Sequence, residues 1–298
     1  MKLKHFALAL GAAISFGAAA APVPSLPGGP LYLKFDNREQ IATQGTTGFT
    51  YAPGEINWGV LTVSTFNQGL VTGPNTIETT GAPFFTNIAS AGQITGIFYG
   101  VQPLPSGTGG NLFPATGGFI DLYYRDLSTM TTTDLATSAP GVRCGLACAT
   151  GFTQGTLLAH LAFASGINPS SALVFINGSV IPSAGGFAGF ATSYANIVPG
   201  AFTNGVNPSA TGAYETKLNT DFFVTPFGTR DFRFRNIYET LNAWDGTTSV
   251  CGTTTAGNCV LGARSTDPAT AFAVPEPASL ALLGIGLLAV GATRRRKA

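Results

Sequence analysis

Hydrophobic positions along this chain come in short runs, cut about every ten residues by clusters of Gly, Pro, Asn, Ser and Thr. No stretch keeps a 3.6-residue apolar period over three turns, so long helices are not expected in the body. Several runs alternate instead: Leu31, Leu33 and Phe35 against Tyr32 and Lys34, and Leu61 and Val63 against Thr62 and Ser64. Period-two alternation is the mark of a half-buried strand, because successive side chains leave a strand on opposite faces. Strands are predicted over residues 31–35, 56–66, 94–101, 119–124, 173–176, 222–225 and 232–238. Residues 154–164 are the main helix candidate, though apolar enough to be another buried strand, and the Gly-rich segment 103–114 is expected to be a loop. Many short strands separated by turns predict a mainly β body, an antiparallel β-sandwich or jelly-roll-like domain. No internal repeat is evident.

The two ends read differently. Lys2 and Lys4 precede an apolar run from Phe6 to about Phe16, followed by Gly17 and a string of alanines. That order of charge, apolar core and small residues predicts a secretory signal helix over residues 1–20. Cleavage after Ala20 places Ala18 and Ala20 at the small-residue positions and makes Ala21 the new first residue. At the other end, Val274-Pro275-Glu276-Pro277 is followed by uncharged residues 278–292, then by Thr293 and the basic tail Arg294-Arg295-Arg296-Lys297. The uncharged segment spans roughly 23 Å as a helix, against a hydrocarbon core of roughly 30 Å. It predicts a short, marginal transmembrane helix whose cationic tail stays in the cytoplasm and whose body lies across the membrane.

Pro-Glu-Pro, a short apolar segment and a terminal Arg cluster, in that order, resemble the PEP-CTERM sorting domain of Gram-negative bacteria that make extracellular polysaccharide. The resemblance covers residues 274–298 only. It implies recognition by an exosortase, a membrane-embedded cysteine transpeptidase, which processes the chain near Pro275-Glu276-Pro277 and passes the body to the cell surface or the extracellular matrix. It also implies export through the Sec machinery and a transient stay in the inner membrane. Pro275 and Pro277 fix φ and lack an N–H, which keeps this segment extended and out of the helix behind it. Residues 21–273 then form the exported body.

Charge narrows the class of that body. The chain carries a net charge of +1, but between residues 21 and 274 nine basic residues face thirteen acidic ones, a net charge of −4. A mildly acidic body without a basic stripe lacks the electrostatic footprint of a nucleic-acid binder. Charged residues make up 10% of the chain, well under the roughly 25% of an average globular protein. Thr, Ser, Asn and Gln must supply most of the polar surface. Four cysteines form two close pairs, Cys144 with Cys148 and Cys251 with Cys259. In an exported chain an even count predicts disulfides; three connectivities are open, and the two local pairings are favoured, each contributing about 2 to 3 kcal/mol. Zinc is the alternative, but no His lies near either pair.

Catalytic signatures are missing: there is no Gly-x-Ser-x-Gly elbow, no His-Glu-x-x-His helix and no phosphate-binding Gly-x-x-x-x-Gly-Lys. The one body histidine, His160, sits in an apolar run and reads as a hydrogen-bonded interior residue. Paired carboxylates remain a route to glycoside chemistry. Asp36, Glu55, Asp121 and Asp126 lie near Phe35, Trp58, Tyr123 and Tyr124 in sequence, and Trp58, Trp244, Tyr123 and Tyr124 are candidates for stacking on sugar, with core burial expected for at least half of them. Asp36-Asn37-Arg38-Glu39 is a weak calcium candidate. The run from Arg230 to Arg235 is the body's only positive concentration; alternation predicts Phe232 and Phe234 on one face and Arg233 and Arg235 on the other, a solvated strand face or a contact to acidic exopolysaccharide. No catalytic residue, metal or cofactor is assigned. The expectation is a non-enzymatic, exported structural or adhesive component of an exopolysaccharide or biofilm matrix, with a secreted glycoside hydrolase or carbohydrate-binding protein as the alternative.

Overall fold

The structure is a computed structural model that describes residues 23–42, 57–87, 92–104, 112–133, 151–183, 186–198, 211–240 and 260–274. The alternation read in the sequence sets its first element. Strand β1 (Gly29–Ala42) buries Leu31, Leu33 and Phe35 on one face, with Lys34 exposed on the other. Antiparallel pairing then joins β1 to β2 (Asn57–Gly73), which skips one residue between the Lys34/Thr65 and Phe35/Val63 pairs. This bulge at Ser64 keeps Val63 and Leu61 on the same side as Phe35 despite the extra residue.

The remaining strands are β3 (Thr76–Thr86), β4 (Gln93–Pro103), β5 (Leu112–Arg125), β6 (Thr156–Ala164), β7 (Ile176–Ser183), β8 (Gly186–Ile197), β9 (Phe223–Thr225), β10 (Gly228–Arg230), β11 (Phe232–Thr240) and β12 (Val260–Ala273). All but β9 and β10 belong to one sheet, ordered β1-β12-β11-β8-β6-β5-β4-β2-β3. Because β2 also pairs with β1, the path closes on itself through eight strands. Strand β7 pairs with β5 and β8, as β6 does, so these two share one place in the ring. The sequence expectation of mainly antiparallel β structure holds. The expected division into two facing sheets does not appear among the described residues: one sheet curls until its first and last long strands meet. That arrangement removes the free edges of every strand in the ring.

Side chains fill the ring. Leu31, Leu33, Phe35, Leu61, Val63, Phe66, Ile94, Phe98, Ile120, Leu122, Leu161, Ala195, Phe232, Phe234, Ala269 and Ala271 form one continuous buried cluster drawn from strands all the way round. Each fully buried Leu or Phe contributes about 1.5–3 kcal/mol by removal from water. At one end the cluster is covered by Val23 and Leu26 and by a single helical turn, α1 (Glu215–Leu218), through Tyr214 and Leu218. The Tyr214 hydroxyl donates to the Pro24 carbonyl at 2.5 Å, tying those two covers together. Toward the opposite end of β1 the buried positions turn polar, with Asn37 and Glu39. Opposite Glu39 stands Gly59, where a Cβ would lie 2.3 Å from the Arg38 carbonyl oxygen, so the close approach of β1 and β2 there requires glycine.

The outward side of β2, β4, β5 and β6 is buried too, at Trp58, Val60, Ile97, Tyr99, Tyr123 and Leu157, with Phe152 buried alongside them. Two-sided burial explains why β4 and β6 read as near-continuous apolar runs, and why residues 156–164 are a strand where a helix was the other candidate. Predicted strand 173–176 is displaced: Leu173 is exposed in a turn and β7 begins at Ile176. Of the predicted loop 103–114, Pro103 ends β4 and 112–114 open β5, while 105–111 lie outside the described residues. No described helix is long and apolar enough to cross a membrane; the predicted signal helix and the predicted C-terminal transmembrane helix lie outside the described residues.

Candidate functional site

The register of β5 on β6 sets Asp121 directly opposite His160. Nδ1 of His160 lies 2.7 Å from Asp121 Oδ1, and the Tyr99 hydroxyl donates to Asp121 Oδ2 at 3.2 Å. Both members of the pair are 0% exposed. The backbone N–H of His160 donates to the carboxylate of Glu215 at 3.1 Å, so α1 is anchored to β6 beside the same pair. A general acid or base must reach the proton it moves in a bound substrate. Asp121 and His160 are instead held between neighbouring strands on the buried outward side of the sheet. Their geometry is that of an interior lock, which agrees with the reading of His160 as a hydrogen-bonded interior residue.

The other carboxylates do not assemble around it. Asp126 accepts the Ser128 N–H at 2.9 Å and shapes the turn after β5. Asp36 lies on the outward face of β1, opposite Thr62. Alternation along β1 also divides the calcium candidate: Asn37 and Glu39 point one way, Asp36 and Arg38 the other. Among the described residues no three His, Cys, Asp or Glu side chains gather as metal ligands. Of the sugar-stacking candidates, Trp58, Tyr123 and Tyr124 are buried, as is Phe35. Glu55 and Trp244 lie outside the described residues.

Two buried groups carry features the sequence reading did not single out. Glu39 is buried in the polar end of the ring, and Asn57 Nδ2 donates to its Oε2 at 2.7 Å. Burial pushes its carboxyl up to about 7, with the Asn57 hydrogen bond opposing the rise. Asp231 accepts three backbone N–H groups, from Thr220 and Asp221 on one oxygen and Ile197 on the other, at 2.7 to 2.8 Å. It is the pin that joins β8, the segment after α1, and the start of β11. An acid beside Arg230 in a run of Arg and Phe carries no signal of this; the partners are 10 to 34 residues away.

The arginine run is split by the fold. Phe232 and Phe234 face the core as alternation predicted. Arg230 is buried, donating to the Ser165 carbonyl at 2.8 Å, the Ser165 hydroxyl at 3.0 Å and the Phe227 carbonyl at 2.9 Å. Arg233 donates to the Asn75 carbonyl at 2.5 Å, and its guanidinium lies 6.0 Å from the Tyr194 ring centroid. Of the three, only Arg235 is exposed, 4.0 Å from Glu78 across the surface. A concentrated patch for an acidic polymer is not formed by these three side chains.

Strand β12 delivers the chain to its exit. It runs antiparallel to β1 as far as Gly29↔Ala273, so the segments that precede β1 and follow β12 leave from the same end of the ring. Ala273 is completely buried, the Val274 N–H donates to the Lys217 carbonyl at 2.8 Å, and the Val274 side chain is exposed. The body thus remains folded to within one residue of Pro275. This is a mainly β protein whose last strand runs straight into a terminal targeting segment. Residues 273–297 match the PEP-CTERM protein-sorting motif, which points to export and cell-surface sorting by exosortase processing. No curated protein and no solved structure matches the chain. Of the sorting residues only Val274 is described; Pro275, Glu276, Pro277, the basic tail Arg294, Arg295, Arg296 and Lys297, the cleavage residues Ala18, Ala20 and Ala21, and Cys144, Cys148, Cys251 and Cys259 lie outside the described residues.

Proposed function

We propose that the closed sheet is a non-catalytic cargo of the sorting pathway, acting after release as a structural or adhesive component of an exopolysaccharide or biofilm matrix. The observation that carries this reading is the sorting motif fused without a linker to the closing strand of the ring. In processing, a peptide bond in the motif breaks. The body's acyl group passes to the enzyme's cysteine thiol and then to water or an amine acceptor, and the new amine leaves with the apolar segment. Sec export, a transient inner-membrane stage, removal of the signal peptide near Ala20 and the two local disulfides belong to the same proposal.

The interior lock of Asp121 and His160 supports a non-enzymatic body, because one of the four carboxylates considered for glycoside chemistry is engaged and buried. A retaining or inverting hydrolase would need two carboxyl groups open to a bound sugar. Intact mass of the mature protein tests the proposal: it reports both cleavage points and the state of the four thiols. A mature form ending near Pro275 in a host with an active exosortase, and a retained C-terminal segment in its deletion strain, are expected. The same mass in both strains refutes processing by that enzyme. Sugar release from the producer's own polysaccharide by the purified protein refutes the non-catalytic reading.

A further inference from the structure

The way β12 ends differs from the way it is held along its length. Over 263–266 and 269–271 it has partners on both sides, β1 on one and β11 on the other. Pairing with β11 stops at Phe232↔Ala271. Beyond that point strand pairing is with β1 alone, at Phe272 and Ala273, and the Val274 N–H reaches the Lys217 carbonyl at 2.8 Å. Inside the ring this segment contributes one methyl group, that of Ala273, so little apolar surface is lost if it leaves. Outside the ring its main contact is a ring stack: Phe272 lies on Phe222 with centroids 4.8 Å apart and planes 10° from parallel. Phe222 is braced in turn by Phe223, edge-on at 5.0 Å and 90°, and Phe223 is completely buried.

The sorting motif begins on this segment, at Ala273. Pro275 and Pro277 have no N–H to offer an enzyme that takes its substrate as an extended strand, so backbone recognition falls on Glu276 and on the residues just upstream. Those upstream residues are the ones the ring holds. While they stay held, residues 275–277 alone separate the rim from the apolar segment, about 10 to 14 Å of extended chain. Freeing 272–274 roughly doubles that reach and exposes their backbone.

We propose that Phe272, Ala273 and Val274 form a releasable tab, latched by the Phe222 ring, and that unlatching precedes processing of the motif by its membrane transpeptidase. This rests on the exosortase reading. Phe222 is then a positioning residue for processing that lies outside the recognised motif.

Pulse-chase of the full-length chain in a host with an active exosortase tests it. Phe222→Ala leaves the substrate sequence intact and is expected to raise the processing rate roughly two- to tenfold, the size of effect that loss of one aromatic stack supports. Phe222→Tyr, which keeps the ring, should stay at the wild-type rate. A six-residue Gly/Ser insertion between Val274 and Pro275 should also accelerate processing, and in that background Phe222→Ala should have no further effect. Processing of folded Phe222→Ala at or below the wild-type rate overturns the latch. If Phe222→Ala does not fold, the insertion decides alone, and an unchanged rate overturns the proposal. Processing that continues in the exosortase-deletion strain sinks the underlying reading separately, whatever the variants do.

Discussion

Replacing Glu39 by Gln should change how the protein's stability depends on pH. The carboxyl is buried at the polar end of the ring and its pKa rises from 4.5 to about 7. Each unit corresponds to about 1.4 kcal/mol, so the full displacement corresponds to about 3 kcal/mol. The sign follows from proton binding. Between pH 4.5 and about 7 the native state keeps the Glu39 proton and the unfolded chain has released it, so unfolding releases a proton and stability falls as pH rises. The contribution is complete below pH 4.5, declines through that window and is absent above about pH 7. The amide introduced by Glu39→Gln cannot titrate, yet its carbonyl can still accept from Asn57. The variant should match wild type near pH 4 and exceed it by about 3 kcal/mol at pH 8. Urea unfolding of the mature protein at half-unit steps, read as the midpoint at constant m, measures the difference directly. Parallel wild-type and variant profiles across pH 4 to 8 would refute the buried-carboxylate argument.

Three other perturbations follow from the described contacts. Asp121→Ala removes the acceptor that the buried His160 ring and the Tyr99 hydroxyl share, and should cost about 3–5 kcal/mol in urea unfolding; a loss under about 1 kcal/mol would mean that the pair is not locked. Asp231→Ala removes the acceptor for the Ile197, Thr220 and Asp221 amides, and hydrogen exchange should show those three losing protection, Ile197 ahead of the rest of β8; unchanged protection would contradict the pin. Ala271→Leu adds bulk where β12 faces Leu31 and Phe232 and should cost about 1–3 kcal/mol by overpacking. A neutral or stabilising result, measured as a thermal midpoint, would show space at that position.

Legibility in the sequence followed side-chain size. Strand β1 announced itself because its inward residues are Leu and Phe between polar ones. Strands β8 and β12 passed unnoticed because, Ile197 apart, their described inward residues are Ser193, Ala195, Ala269, Ala271 and Ala273, small groups set against Phe163, Phe232 and Phe234. That complementarity exists only once the strands are neighbours. Strand β3 was missed for another reason: it lies outside the ring, is largely exposed, and has neither alternation nor an apolar run. Closure was illegible because it depends on residues 29–42 meeting 260–273, a pairing across almost the whole body. Asp121 and His160 drew separate attention in sequence, but their contact is set by the β5–β6 register, with a shift between Leu122 and Tyr123 that no local pattern encodes. The sorting motif, by contrast, was readable because its parts are contiguous.

The pairing of first strand with last also governs how the molecule is made. A chain threaded through a membrane from its N-terminus presents β1 early, and β12 emerges only after every other strand has crossed. Until then the sheet has two open edges, on β1 and on β11, each a template for a foreign strand. Long-range β pairing of this kind is intrinsically slow and prone to aggregation while incomplete. Among the described strands β12 comes last in the chain, so both edges stay open until the residues just before the sorting motif are free to pair.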